Sequence, residues 1–198
     1  MAGEPQDVFL EDGRIAEIGA RPEADIVLDG RNMACLPGLV NGHTHAAMTL
    51  LRSYADDMKL QDWLEQRIWP REAKFEPEDV YWGTKLACLE MIRSGTTTFN
   101  DMYFFMEEAA KAVADMGLRA VLSYGMIDRF DAKKAEAELK ATEGFLRFVR
   151  GLKNPRIQPA IGPHNIETVS DGTLGQAKSL ALDEGVKVHF HLAETEGE

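Results

Sequence analysis

The feature that most constrains the fold is the regular alternation of helical and strand patterns after Pro37. Each of four helical segments is followed by a glycine, which suits a helix end because its left-handed conformation involves no Cβ clash. Consecutive helix–glycine–strand joints predict a parallel sheet whose crossovers are helices. The helical segments span about 78–94, 104–116, 132–150 and 171–184, and their glycines are Gly95, Gly117, Gly151 and Gly185.

The strand candidates indicate an α/β fold. Five strands and four crossover helices correspond to about five-eighths of a (β/α)8 barrel. An open doubly wound sheet is the alternative, but its glycine-rich phosphate turn does not follow the first strand. We therefore expect a partial (β/α)8 TIM-like barrel with the first five strands, and an additional helix at 60–69 that Pro70 closes. The strands are the buried "CLPGLVNGHTH" and the segments 96–101, 119–124, 156–162 and 186–191.

A smaller pattern precedes the barrel. Residues 8–28 alternate apolar and polar positions around Asp12 and Gly13, and a DG pair between such runs predicts a β-hairpin. We expect a small β element in residues 1–36 and the partial barrel in residues 37–198.

Composition limits the function classes. The formal charge of −11 opposes binding to nucleic acid, because that affinity depends on clustered Lys and Arg. No apolar run reaches the roughly 18 residues of a membrane span, and "MAGEPQDV" lacks a signal-peptide pattern. Cys35 and Cys88 are isolated, which fits a reducing compartment. We expect a cytoplasmic protein with a small-molecule substrate and with neither nucleic-acid nor membrane partners.

Two His-x-His pairs indicate metal chemistry. Residues i and i+2 of a strand point the same way, so His43 and His45 can present two imidazoles to one point, as can His189 and His191. A single pair could equally be two unrelated histidines. Two pairs at the carboxyl ends of barrel strands favour one shared ion, and zinc accepts nitrogen ligands while keeping a position for water.

Further polar residues lie at or beyond predicted strand ends. Glu194 could move a proton of a metal-activated water, or it could be an exposed residue of the acidic tail. For Asp101, capping of the following helix is favoured over catalysis. For His164, a substrate contact and a structural role are equally open.

Five stretches resemble the amidohydrolase superfamily, specifically the methylthioadenosine/S-adenosylhomocysteine deaminases and the related triazine chlorohydrolase-like enzymes. They are "EDGRIAEIG", "LPGLVNGHTHAAMTLLR", "SGTTTFNDM", "GPH" and "HFHLAET". The resemblance implies a distorted TIM barrel attached to a small β-sandwich. Residues 1–36 would then be a partial sandwich element and residues 37–198 part of a metal-dependent hydrolase barrel. It also implies one divalent metal ion, usually Zn²⁺, with Fe²⁺ as the alternative.

The resemblance also implies roles for individual residues. His43, His45 and His191 look like metal ligands, which leaves His189 as the non-ligating member of its pair. Glu194 looks like the catalytic proton shuttle.

Four further residues match substrate contacts of these deaminases. Trp63, which helical spacing alone assigns to core or lid packing, falls where an aromatic covers the base, and Glu72 falls where a carboxylate meets the ribose hydroxyls. His164 matches a substrate-contacting histidine. Arg129 corresponds, without a firm motif, to an arginine that meets the amino-acid tail of the substrate.

Two departures from the family pattern affect these expectations. The fourth-strand loop reads "GPHNIET" where the deaminases usually have "GPHAPYT", which indicates a different substrate pocket. The family's remaining metal-site histidine and aspartate come from the sixth and eighth strands, beyond the five predicted here. We therefore expect a truncated chain that is inactive alone.

The expected function is metal-dependent deamination of an adenine nucleoside such as S-adenosylhomocysteine or methylthioadenosine. A metal-bound hydroxide would attack C6 of the purine and hydrolyse the C–N bond. One alternative is another amidohydrolase acting on a triazine, guanine or cytosine. A second is a non-catalytic partial barrel that acts as an assembly module, with exposed sheet edges driving homo-oligomerisation.

Overall fold

The computed structural model describes residues 6–19 and 23–196, and the chain divides between Pro37 and Gly38 into two compact units. In the first unit, β1 (Val8–Glu11) pairs antiparallel with β2 (Arg14–Ile18). The turn residues Asp12 and Gly13 have φ angles of 50° and 73°, and positive φ at both positions is typical of a tight hairpin turn. The predicted hairpin is confirmed.

The strand alternation expected as far as residue 28 is not found after β2. Residues 20–22 lie outside the described part of the chain, and residues 23–28 form no strand. A short alternating pattern does not specify a strand when no neighbouring strand supplies hydrogen bonds.

The second unit contains a five-stranded parallel sheet with the order β3-β4-β5-β6-β7, which is the order of the strands along the chain. Sequential parallel strands joined by helical crossovers are the arrangement of a (β/α) barrel, and the predicted partial barrel is confirmed. The strands are β3 (Leu39–Thr44), β4 (Thr96–Tyr103), β5 (Arg119–Met126), β6 (Ile157–Pro163) and β7 (Lys187–Val188).

Helices connect consecutive strands, and the connection between β3 and β4 contains several of them. Among the residues that the structure describes, no helix combines the length and apolar character needed to cross a membrane. The helices are a 3₁₀ helix (Ala46–Leu51), α1 (Leu60–Trp63), a π-helical turn (Leu64–Ile68), α2 (Trp69–Glu72), α3 (Pro77–Arg93), α4 (Met106–Met116), α5 (Ala132–Leu152) and α6 (Asp171–Glu184).

Helix α3 begins and packs for identifiable reasons. Pro77 occupies its first position, where a missing N–H costs nothing, and the Asp79 carboxylate accepts a hydrogen bond from the backbone N–H of Glu76 at 2.8 Å. A Cβ on Gly83 would lie 2.5 Å from the carbonyl oxygen of Ala47. Glycine at position 83 therefore allows the 3₁₀ helix after β3 to lie directly against α3.

The hydrophobic core of the second unit lies between the sheet and its covering helices. Phe99 of β4 and Leu122 of β5 are fully buried, and they belong to one cluster with Val113 of α4 and Phe145 and Val149 of α5. Burial of each large side chain of this kind stabilises the fold by roughly 1.5–3 kcal/mol. The cluster holds β4 and β5 in place, so it also determines where the polar residues at the carboxyl ends of the strands lie.

Two predicted helix ends are wrong. Gly151 lies inside α5, and Lys153 occupies the left-handed position after that helix with φ of 49°. Pro70 does not close the additional helix, because the preceding π-helical turn lets the chain continue through α2. A proline ring clashes with the carbonyl four residues earlier, and a wider turn is one way to relieve that clash.

Two predicted strands also differ from expectation. Strand β3 is exposed along Leu39–Val40, not buried, because in the described structure it lies at the edge of the sheet and pairs with β4 alone. Strand β7 pairs only at Lys187–Val188, whereas the prediction extended it to residue 191. Residues beyond Val188 are held by isolated hydrogen bonds instead.

A buried carboxylate joins the loops after β5 and β6. Asp128 accepts hydrogen bonds from the backbone N–H of Phe130 at 2.7 Å and from the Ser170 hydroxyl at 2.7 Å. Burial by itself raises the pKa of Asp128, but hydrogen bonds from Thr173, Ser170 and the Phe130 backbone outweigh it and hold the pKa below its ordinary value of 3.8. The ionised form therefore stabilises the fold.

We expect Asp128→Asn to lower the free energy of unfolding by about 1–3 kcal/mol near pH 7, because the amide nitrogen cannot accept the donors that now face the carboxylate. Because the pKa is lowered in the fold, this stabilisation is present above 3.8 and is lost as the pH falls through the lower folded value. Urea unfolding followed by circular dichroism across this pH range measures the difference. Asp183→Asn, at an exposed position of α6, is the control. Equal losses in the two variants would contradict the prediction.

Candidate metal centre

Three histidine side chains converge at the carboxyl end of the sheet. The Nε2 atoms of His43 and His45 are 3.4 Å apart, and that of His191 lies 3.2 Å from His43 and 3.3 Å from His45. A tetrahedral ion with metal–nitrogen distances of about 2.0–2.1 Å separates its ligand nitrogens by about 3.3–3.4 Å. The three imidazoles therefore fit one small divalent ion.

Backbone carbonyls orient two of these rings. His45 Nδ1 donates to the Met102 carbonyl at 2.7 Å, and His191 Nδ1 donates to the His164 carbonyl at 3.0 Å. With the proton on Nδ1, each neutral ring directs the lone pair of Nε2 to the common point. The hydrogen bonds select the tautomer that a metal ligand needs.

Asp101 holds the end of β3 in place. Its Oδ1 accepts hydrogen bonds from the Thr44 hydroxyl at 2.7 Å and from the Ala46 N–H at 2.8 Å, and the residue is fully buried. Burial raises its pKa to about 6. The predicted capping of the next helix is wrong, because Phe105 occupies the N-cap of α4 without a side-chain cap. Asp101 thus holds the residues on both sides of His45, through the Thr44 hydroxyl and the Ala46 backbone N–H.

His189 takes a different direction from His191. Its Nδ1 lies 3.0 Å from the hydroxyl of Ser123 on β5, and its side chain is outside the cluster of three imidazoles. Backbone hydrogen bonds from His189 to Ile161 and from His191 to His164 continue the alternation of a strand beyond β7. The Ser123 hydroxyl therefore explains why His189 lies outside the cluster while His191 belongs to it, although their spacing in the sequence is equivalent.

Burial disfavours the charged form of three of the histidines in this region. Burial, and to a smaller extent the nearby His191 imidazole, lowers the pKa of His164 and of His189 to about 4. Burial also lowers the pKa of His45. Neutral imidazoles are the form that binds a cation, because a protonated ring has no free lone pair.

A cavity of about 130 Å³ lies beside the three histidines. It brings together His45 and four residues singled out in the sequence, together with apolar side chains of the segment 60–68. This mixture of apolar walls and a few polar groups is typical of a small-molecule site. The four residues are Trp63, Glu72, His164 and Glu194.

Glu72 has a partner that the sequence did not reveal. The Tyr103 hydroxyl donates to Glu72 Oε1 at 2.5 Å, and burial raises the pKa of Glu72. Tyr103 lies two residues beyond the predicted end of β4, so an accurate strand end was the missing signal. The pair fixes one carboxylate oxygen at the cavity wall.

Arg129 does not line this cavity. It is exposed in the loop after β5, where its guanidinium lies 4.5 Å from the ring centre of Trp69 and its backbone N–H donates to the Thr168 carbonyl at 2.9 Å. Its φ of 50° is a left-handed conformation that is uncommon for a residue with a Cβ. The cation–π contact ties this loop to α2.

The sequence matches the Amidohydrolase family over residues 34–198. The chain belongs to this family. It is 55% identical to a 5′-deoxyadenosine deaminase of Methanoregula boonei, a match that covers 98% of this chain and 46% of the relative. It is 51% identical to a 5′-deoxyadenosine deaminase of Methanocaldococcus jannaschii, covering 98% and 47%. This amidohydrolase chain thus spans about half the length of the curated relatives that it matches.

Two solved structures are also similar to this chain. An adenosine deaminase of Xanthomonas campestris with bound zinc is 40% identical and has a TM-score of 0.71, with coverage of 82% of this chain and 37% of the other. A triazine hydrolase of Arthrobacter aurescens is 22% identical with a TM-score of 0.77, covering 96% and 48%. At that identity the second likeness shows the fold alone.

We expect His191→Asn to lower the bound metal well below one ion per chain, because it removes one of three converging nitrogens. His189→Gln is the matched control, and we expect it to keep its metal because its ring contacts Ser123. Elemental analysis after dialysis against a metal-buffered solution measures both. Equal metal loss in the two variants would contradict the geometry.

Proposed function

We propose that this amidohydrolase acts in the metal-dependent hydrolytic deamination of an adenine nucleoside. The observation that supports this most strongly is the convergence of three imidazole Nε2 atoms beside a cavity whose wall includes Glu194. Relatives about half identical to the chain are named as deaminases of 5′-deoxyadenosine. In the proposed reaction, water replaces the amino group at C6 of the purine and ammonia leaves.

His43, His45 and His191 hold the ion in this proposal. A divalent ion at these imidazoles, which we propose to be zinc, supplies Lewis acidity and makes water nucleophilic near neutral pH. The carbonyls of Met102 and His164 keep two of the rings in the ligating tautomer. The protein therefore supplies the geometry before any ligand enters.

Glu194 transfers the proton. It lies three residues after His191, and its carboxylate belongs to the same cavity as His45. A carboxylate at this position accepts a proton from the attacking water and passes it to the purine ring, so that the C–N bond can break with a neutral leaving group. Proton transfer of this kind is the step that the three imidazoles cannot perform while they hold an ion.

Residues of the cavity wall can contact both the base and the ribose of a nucleoside. Trp63 and the apolar residues around it offer a flat surface for the base, and its indole N–H is already bonded to the Ala55 carbonyl at 3.0 Å. Glu72, fixed by Tyr103, keeps an oxygen for ribose hydroxyls, and His164, which lines the same cavity, contacts the substrate. Arg129 lies outside the cavity. Only a substrate with a longer 5′ substituent than 5′-deoxyadenosine, such as one that carries an amino-acid tail, would reach it.

We expect Glu194→Gln to lower kcat for nucleoside deamination by about 10²–10⁴-fold, because the amide cannot transfer a proton. The metal content should stay unchanged, since three histidines hold the ion. Ammonia release by the protein expressed from its complete reading frame measures the effect, with Glu196→Gln as the control. A fully active Glu194→Gln variant would refute the assigned role.

Substrate choice separates the proposal from its alternatives. We expect the highest kcat/KM for 5′-deoxyadenosine, measurable turnover of adenosine, methylthioadenosine and S-adenosylhomocysteine, and slower turnover of free adenine, which lacks ribose hydroxyls for Glu72. A panel that adds guanine, cytosine and a chlorotriazine tests this. Turnover confined to those three compounds would overturn the proposed substrate class.

A further inference from the structure

The loop after β6 holds the segment that follows β7 at three points. The His164 carbonyl accepts hydrogen bonds from both the backbone N–H and Nδ1 of His191. The Asn165 amide donates to Glu194 Oε2 at 3.1 Å, and the Thr195 hydroxyl donates to Glu167 Oε1 at 3.3 Å. Because β7 pairs over only two residues, a backbone carbonyl and two side chains of this loop position the residues beyond it.

The orientation of the Asn165 side chain is fixed by three donors. Its Oδ1 accepts from the backbone N–H of Glu167 at 3.1 Å, from the backbone N–H of Thr168 at 2.9 Å and from the Thr168 hydroxyl at 2.7 Å. Two of these donors are backbone amides, which cannot accept. Oδ1 must therefore face the loop, and the NH₂ group must face Glu194.

Burial makes this arrangement specific. Asn165 is 4% exposed, so an unpaired amide there would cost roughly 1–3 kcal/mol. Glu194 by contrast is exposed, and holding a long carboxylate side chain in one rotamer costs conformational entropy. The rigid partner in the pair is Asn165, and the residue whose direction it sets is Glu194.

The same network reaches His164. The Thr168 hydroxyl gives its proton to Asn165 Oδ1, so it can only accept from His164 Nδ1, which lies 3.0 Å away. A neutral His164 then carries its proton on Nδ1 and presents Nε2 as an acceptor. Asn165 thus stands between two residues of the cavity wall.

We infer that Asn165 is a positioning residue, which aims the Glu194 carboxylate into the cavity through its amide and sets the direction of the His164 ring through Thr168. The part of this inference that concerns catalysis rests on the proposed function. The contact itself does not, so the two can be tested separately.

A thermal double-mutant cycle tests the contact without any activity. Asn165→Asp keeps an acceptor for the three loop donors but places a second carboxylate against Glu194, and at pH 8 we expect a lower melting temperature. Glu194→Gln in the same chain supplies a donor to the new carboxylate, and we expect it to restore much of the loss. Glu196→Gln is the matched charge control and should restore none. Equal restoration by the two partners, or no loss in Asn165→Asp, would overturn the contact.

Steady-state kinetics of the protein from its complete reading frame test the consequence. We expect Asn165→Ala and Asn165→Asp to lower kcat about ten- to a hundredfold with KM for 5′-deoxyadenosine and metal content unchanged, because a misplaced catalytic group costs rate at constant binding. Ile166→Ala, at an exposed position of the same loop, should retain the original kcat.

The outcomes separate the two proposals. Unchanged kcat in both Asn165 variants, or a loss that parallels loss of metal, would overturn the positioning role while leaving nucleoside deamination intact. If the unsubstituted protein deaminates no nucleoside in the panel, the proposed function fails, and the thermal cycle alone decides whether Asn165 sets the direction of Glu194.

Discussion

Two hydrogen bonds from imidazole Nδ1 atoms to backbone carbonyls are the interactions on which the site depends. They run from His45 to Met102 and from His191 to His164, so each ring is held by the strand or loop beside its own. Because the acceptors are backbone carbonyls, one in β4 and one directly after β6, the ring positions follow from the register of the strands. The hydrophobic core that fixes this register therefore also fixes the distances between the Nε2 atoms.

Buried polar groups connect the strand ends in the same way. Asp101 joins β4 to the backbone around His45, and Ser123 of β5 contacts His189. Asp128 joins the loop after β5 to the start of α6. A buried polar group without a partner is costly, and Asp101 through its Oδ1, Ser123 and Asp128 find partners on other elements. An alternative arrangement of the loops would leave these groups without partners, so each of them favours the observed arrangement.

Much of the fold follows from periodicity, and the differences have local causes. Helix and strand patterns predicted β4, β5, β6 and the four crossover helices to within a few residues. The predicted helix ends at Pro70 and Gly151 are wrong. A hydrophobic pattern shows neither the π-helical turn before Pro70 nor the left-handed conformation of Lys153 after α5. The exposure of β3 was missed because an apolar run does not reveal which side of a strand lacks a neighbour.

The sequence by itself determined that His43 and His45 face one point, because residues two apart on a strand project to the same side. It also placed Glu194 shortly after His191, since both belong to one short segment. Spacing presents His189 and His191 alike, and only the tertiary structure supplied the physical reason why His191 joins the imidazole cluster and His189 does not: the His189 ring contacts a hydroxyl that lies 66 residues away along the chain. The contact between Asn165 and Glu194, which are 29 residues apart, was also visible only in the tertiary structure. Local geometry is encoded by spacing, whereas hydrogen-bond partners on separate elements are chosen by how the strands and loops pack.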